Sequence, residues 1–166
     1  MTVDEFIAQV VKKLAPAPLD ALEQFEAQIG HTLPDDYRHF LIQCNGGYVG
    51  GRYWFQGKNP EGKEVEAGVH HIGGFRDESH FSLPWHRDCY DGRIPDALLW
   101  INDDPFGNAI CLGIADEHRG KVYFWDHENE PEEDWDGAVE TAGNVTLIAN
   151  SFTEFVAGLC ELDDAD

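Results

Sequence analysis

Apolar positions in this chain follow two periodicities, helical up to about residue 44 and strand-like from Val49 onward. Phe6, Ile7, Val10, Val11 and Leu14 recur at helical spacing behind a Thr2/Glu5 capping box, which predicts a first helix broken by Ala15-Pro16 and Pro18. Leu22, Phe25, Glu26 and Ile29 predict a second helix from Leu19 to Gly30, a residue suited to the left-handed position past a helix end. After the His31-Thr32 connector, Pro34 suits a first helical turn, and Asp35 and Asp36 suit its positive end. Tyr37, Phe40, Leu41 and Cys44 then line one face of a third helix, which Asn45-Gly46-Gly47 terminates.

Beyond it, β-rich runs at Arg52 to Phe55, Val65 to Ile72, Leu98 to Asn102, Asn108 to Ile114 and Lys121 to Trp125 are separated by Gly, Pro, Asn and Asp. Asp103-Asp104-Pro105-Phe106-Gly107 carries hairpin-turn residues, so Leu98 to Asn102 is expected to pair with Asn108 to Leu112. Ser151 and Glu154 form a second capping box before Phe152, Phe155, Val156 and Leu159, predicting a closing helix; Asp163 to Asp166 should fray. Helices, then strands, then a helix describe an α+β fold with N-terminal helices, a mainly antiparallel sheet of about 5–6 strands and a C-terminal helix.

Length places all 166 residues in one domain, its core about 19–162, since two domains of half that size would each bury too little. The longest apolar runs, such as Ala97 to Ile101 and Val145 to Ala149, fall far short of the ~20 residues of a bilayer span. Met1 to Val11 contains Asp4 and Glu5 and lacks the basic start of a secretory signal, so a cytoplasmic product is expected. Cys44, Cys89, Cys111 and Cys160 include no CxxC pair and read as reduced core thiols.

Charge changes the picture more. Thirty-two acids against eleven bases leave −21, a balance that repels nucleic acid and anionic membranes and is complemented by a basic partner. Residues 1–83 hold twelve acids and seven bases, and residues 84–166 hold twenty and four, so the asymmetry points to the second half. Its densest segment is Asp126 to Asp136, with seven acids among eleven residues and Trp135 inside the run. A solvated loop is the plain reading of that segment. An aromatic anchor within an acidic ring is the sharper one.

Motifs for catalysis are sparse. Gly46-Gly47 and Gly50-Gly51 follow a helix and precede a strand, the reverse of a phosphate loop, and read as backbone turns. Asp126, Glu128 and Glu130 imitate the first three ligand positions of an EF-hand, but Pro131 stands where that loop needs Gly. His80, His86 and Cys89, with His70 and His71 nearby, are the best metal candidates, though their spacing matches no named site, and no metal or cofactor is expected. No Gly-x-Ser-x-Gly elbow or Cys with a locally placed base is present, and no catalytic residue is expected.

The stretch Leu33-Pro34-Asp35-Asp36-Tyr37-Arg38-His39-Phe40-Leu41 followed by Asn45-Gly46-Gly47 resembles the opening signature of the SUKH superfamily in its Smi/Knr branch. Gly120 to Trp125, the Leu98 to Leu112 hairpin and the Ser151, Phe152, Phe155 helix start resemble its later parts, so the likeness spans about Leu19 to Leu162; Asn59 to Asp91 departs from it. The motif has a scaffold meaning of its own: Leu33, Tyr37, Phe40 and Leu41 form a core stripe, and the glycines let the chain reverse.

The resemblance implies a binding protein rather than an enzyme. Bacterial members are known mainly as immunity proteins that neutralise polymorphic or contact-dependent toxins, many of them nucleases, and fungal members regulate cell-wall synthesis through protein partners. A toxin with a basic surface is therefore the expected partner, with an endogenous regulatory partner as the alternative. A small enzyme or metal-binding protein using the His70 to Cys89 segment is the remaining one. Expected contact residues are Asp103, Asp104, Asp126, Glu128, Glu130, Glu132, Glu133, Asp134, Trp135 and Asp136, with Trp54 as a further aromatic.

Overall fold

The computed structural model describes residues 1–59 and 61–162, so the expected fraying of Asp163 to Asp166 lies outside the described residues. Helix α1 (Val3–Gln9) opens with the expected capping box: the Glu5 amide donates to Thr2 Oγ1, and the Thr2 amide donates to the Glu5 carboxylate. It ends earlier than its apolar spacing predicts. Val11 leaves the helix and exchanges backbone hydrogen bonds with Tyr48, and Leu14 bridges Asn45. Gly47 makes that approach possible, since a Cβ there would lie 2.4 Å from Val10 Cγ1 and 2.8 Å from the Val11 carbonyl oxygen.

Helices α2 (Leu19–Ile29) and α3 (Asp35–Gln43) fall where expected, with Gly30 left-handed at the end of α2 and both acids in the first turn of α3. Seven strands form one antiparallel sheet: β1 (Gly47–Lys58), β2 (Glu64–Ile72), β3 (Leu98–Asp103), β4 (Ala109–Gly113), β5 (Val122–Trp125), β6 (Val145–Ala149) and β7 (Leu159–Glu161), in the order β6-β5-β4-β3-β2-β1-β7. Two strands exceed the five runs read from the sequence. β6 is the apolar run Val145 to Ala149, and β7 begins at Leu159, which helical spacing assigned to the closing helix. That helix, α5 (Phe152–Ala157), stops before Gly158, and the chain then pairs with β1 at Tyr53 to Phe55.

Helix α4 (Leu83–Cys89) lies in the segment that resembled nothing, yet its start is conventional: Ser82 caps the Trp85 amide and Pro84 sits in the first turn. It packs against β3, where the His86 ring stacks on Trp100. Strands β3 and β4 are buried almost throughout, so the middle of the sheet is covered on both faces. The aromatic core joins α1, α3 and α5 to the sheet. Phe40 and Phe152 have ring centroids 4.8 Å apart, Tyr37 and Phe152 5.1 Å, and Phe6 and Tyr53 5.8 Å. Burial of this kind, worth about 1.5–3 kcal/mol per large side chain, is what holds short helices on the sheet.

Only Cys44 and Cys111 of the four cysteines are core thiols. Cys89, at the end of α4, and Cys160, on the edge strand β7, are exposed. Burial pushes the Cys44 thiol up to about 12, so it stays protonated and unreactive.

Candidate functional site

The hairpin between β3 and β4 and the long connection between β5 and β6 meet at one end of the sheet. Asp104 builds the hairpin turn. One of its carboxylate oxygens accepts the Phe106 and Asn108 amides at 2.8 and 2.9 Å, and the other accepts the Asn108 side-chain amide at 2.9 Å. Buried and with both oxygens engaged, Asp104, one of the expected contact residues, organises the turn and offers no free carboxylate. The turn it folds presents Phe106, 68% exposed, beside the Pro105 ring and the half-buried Trp54. Trp54 donates its indole N–H to the Gly51 carbonyl at 2.7 Å and lies 5.9 Å from the Phe106 ring. Gly68 makes room for this cluster, because a Cβ there would meet both Pro105 and Trp54.

His127 fastens the acidic segment to that turn. Its amide donates to Asn108 Oδ1 at 3.2 Å, and its Nδ1 lies 2.9 Å from the same oxygen. The expected acids then separate into two kinds. Asp126 is spent on local structure, accepting the Glu128 amide and the Asn129 side chain. Glu130 receives both guanidinium donors of Arg93, at 3.0 and 2.5 Å, and Arg93 also lies over the Tyr90 and Trp125 rings. Asp136 accepts from Thr141 Oγ1 and the Ala138 amide, which holds its carboxyl below the usual range. Trp135, expected as an exposed anchor, is tied down instead, its indole N–H donating to Thr141 Oγ1 at 3.0 Å.

The carboxylates of Glu128, Glu132, Glu133 and Asp134 are exposed and accept no hydrogen bond among the described residues. These four acids and Trp54 are the part of the expected set left open at the surface, and Phe106, outside that set, joins them. Phe106 was missed in the sequence although the signal was present, since a large apolar residue at the tip of a polar turn has no core to fill. Arg93, which anchors the loop from 37 residues away, had no local signal at all.

The candidate His80, His86 and Cys89 group, from which no metal site is expected, does not assemble: His86 faces Trp100 inside the fold, and His80 and Cys89 are exposed. Burial, opposed by its hydrogen bond to the Ser82 carbonyl, lowers the pKa of His86. The residues that do converge are His70 and His71 on β2 with Asp103 on β3. Asp103 accepts the His71 amide at 2.9 Å, and His71 Nδ1 lies 3.1 Å from its other oxygen. Asp103, one of the expected contact residues, is half-buried, with its carboxylate engaged by His71. Burial, followed by the charge of His71, lowers the pKa of His70.

Residues 16–158 match the model of the SMI1 / KNR4 family (SUKH-1). The chain belongs to that family. It is also similar to the SPbeta prophage-derived uncharacterized protein YokK of Bacillus subtilis (strain 168), with 32% identity over 157 residues that cover 86% of this chain and 74% of the relative. The SUKH-1 signature residues are scaffold in this structure. Leu33, Tyr37, Phe40, Leu41, Phe152 and Phe155 are core, and Pro34 is buried at the start of α3. Asn45 accepts the Phe75 amide at 2.7 Å and donates to the Ala15 carbonyl, while Gly46, left-handed at φ +73, passes against Gly74. Ser151 caps α5 by accepting the Glu154 amide at 3.0 Å.

Proposed function

We propose that this SUKH-1 protein is a cytoplasmic immunity protein that binds and masks the basic surface of a toxin domain, a nuclease being the class its charge fits best. Family membership supports a binding role. The observation that carries the rest is that His127, at the start of the segment carrying the free carboxylates of Glu128, Glu132, Glu133 and Asp134, is fastened through Asn108 to the turn that presents Phe106 against Trp54. An apolar ring held in water by a rigid turn is suited to insertion in a partner pocket, and a rim of unpaired acids raises the rate of encounter with a cation-rich surface. A nuclease must attract phosphate, so a −21 chain seated over its substrate cleft both fits the field and excludes nucleic acid.

Co-expression with the product of the neighbouring open reading frame, as the candidate toxin, tests the reading. Rescue of growth, with co-purification of the two proteins, is the expected result. Growth arrest despite a folded chain, or rescue that persists in a Phe106→Ala variant also carrying Glu132→Lys, Glu133→Lys and Asp134→Lys, would remove this surface from the function.

A further inference from the structure

We propose that His70, His71 and Asp103 form a binding site for a divalent transition metal, with zinc as the preferred ion. Consecutive residues of a regular strand point to opposite faces, so neighbouring histidines ordinarily cannot share a ligand. Here the register breaks: Tyr48 pairs with His71 and Tyr53 with Val69, leaving Val49 to Arg52 of β1 opposite the single residue His70. At this bulge the two imidazoles come together, ring centroids 4.1 Å apart, and both face the same carboxylate.

One ion would engage both rings, whereas hydrogen bonding to the carboxylate engages only His71. His70 Nδ1 stands 3.7 Å from Asp103 Oδ1, too far to hydrogen-bond, and His71 Nδ1 stands 3.1 Å from Oδ2. Two ligand atoms each about 2.0–2.2 Å from a tetrahedral zinc lie roughly 3.3–3.6 Å apart, a separation these two distances bracket. Two imidazoles and one carboxylate suit zinc, cobalt or nickel, and offer too few oxygens for calcium or magnesium. All three side chains are 22–26% exposed, so the donors are shielded yet open on one side. The His71 amide orients the Asp103 carboxylate from behind, and Tyr48 packs against both rings, as outer-shell groups do around metal ligands. His80, its exposed ring 5.1 Å from that of His71, lies outside this three-donor group, so the fourth position of a tetrahedral ion falls to solvent.

An ion held there would brace a weak seam. Strands β2 and β3 pair only at Ile72 and Asn102, and the three ligands span that junction. Filling the site adds a further link between β2 and β3.

Zinc titration against a chromophoric chelator, in a chain carrying Cys89→Ser and Cys160→Ser to remove the exposed thiols, tests the proposal. One zinc per chain is expected, together with a higher melting temperature at saturation. His70→Gln, His71→Gln and Asp103→Asn should each weaken binding at least about tenfold and abolish the thermal shift. His118→Gln, in the separate Glu117/His118/Glu140 group, should change neither. Cobalt in the parent should give the intense visible bands of a four-coordinate ion. If His71→Gln or Asp103→Asn fails to fold by circular dichroism, His70→Gln decides, since its ring makes no hydrogen bond among the described residues. Absence of stoichiometric zinc, or zinc retained undiminished in His70→Gln, would overturn the site.

Discussion

The imidazole of His86 lies flat on the indole of Trp100, ring centroids 3.4 Å apart and planes 2° from parallel. The stack is buried between α4 and β3, with His86 Nδ1 2.9 Å from the Ser82 carbonyl. Burial, the dominant cause, holds the pKa of His86 below its ordinary value of 6.5. The folded state therefore keeps this ring neutral where the unfolded chain protonates it. Stability should be full above that value and fall as pH drops through it toward the lowered folded pKa. Urea unfolding at about pH 8 and about pH 5.5 should show the loss, and His86→Phe, which can still stack on Trp100, should show less of it. An equal pH dependence in both proteins would assign the effect elsewhere.

Asp104 offers a second check, because its three hydrogen bonds fold the turn that carries Phe106. Asp104→Ala should destabilise the chain by about 1–3 kcal/mol, the cost of leaving buried donors unpaired. Equilibrium unfolding measures this directly. Replacing Glu132 or Asp134, whose carboxylates are exposed and unpartnered, should leave stability within about 0.5 kcal/mol.

Arg93 and Glu130 tie the acidic segment to the body of the fold. Arg93→Ala should release it, seen as faster amide hydrogen exchange through residues 128–136 while strands β3 to β5 keep their protection. Unchanged exchange would mean that the Trp135–Thr141 and Asp136–Thr141 bonds suffice to hold the segment.

Much of this architecture was legible in the pattern of residues. The α2 and α3 helices, the β3–β4 hairpin and the caps at Thr2 and Ser151 rest on short-range rules, and each stands where those rules put it. The misreadings have long-range causes. Val11 and Leu14 carry helical spacing but are drawn into pairing with Tyr48 and Asn45, and Leu159 leaves the helix pattern to pair with Phe55. α4 was overlooked despite its Ser82 cap and Pro84, since seven residues give little periodicity to recognise. At the surface, acidic composition singled out the Asp126 to Asp136 segment but could not sort its members. Which carboxylate is free and which is spent depends on Arg93 and Thr141, and on Asn108 for Asp104, partners identified only by the fold.

Free acids and exposed aromatics should act on different steps of partner binding. Reversing Glu132, Glu133 and Asp134 to Lys should slow association strongly at low salt and much less at high salt, because exposed charges act within a Debye length of about 10 Å at 0.1 M salt. Phe106→Ala should leave association nearly unchanged and speed dissociation, at a cost of about 2 kcal/mol or more if the ring is an anchor. Stopped-flow and surface-binding kinetics separate the two.

Calorimetric titration of the purified chain with the product of the neighbouring open reading frame, the candidate toxin, bears most directly on the proposed role. A tight one-to-one complex, weakened by Phe106→Ala and by the triple Lys reversal but not by His118→Gln, is the predicted result. No binding by the folded chain, or binding indifferent to both surface variants, would contradict it.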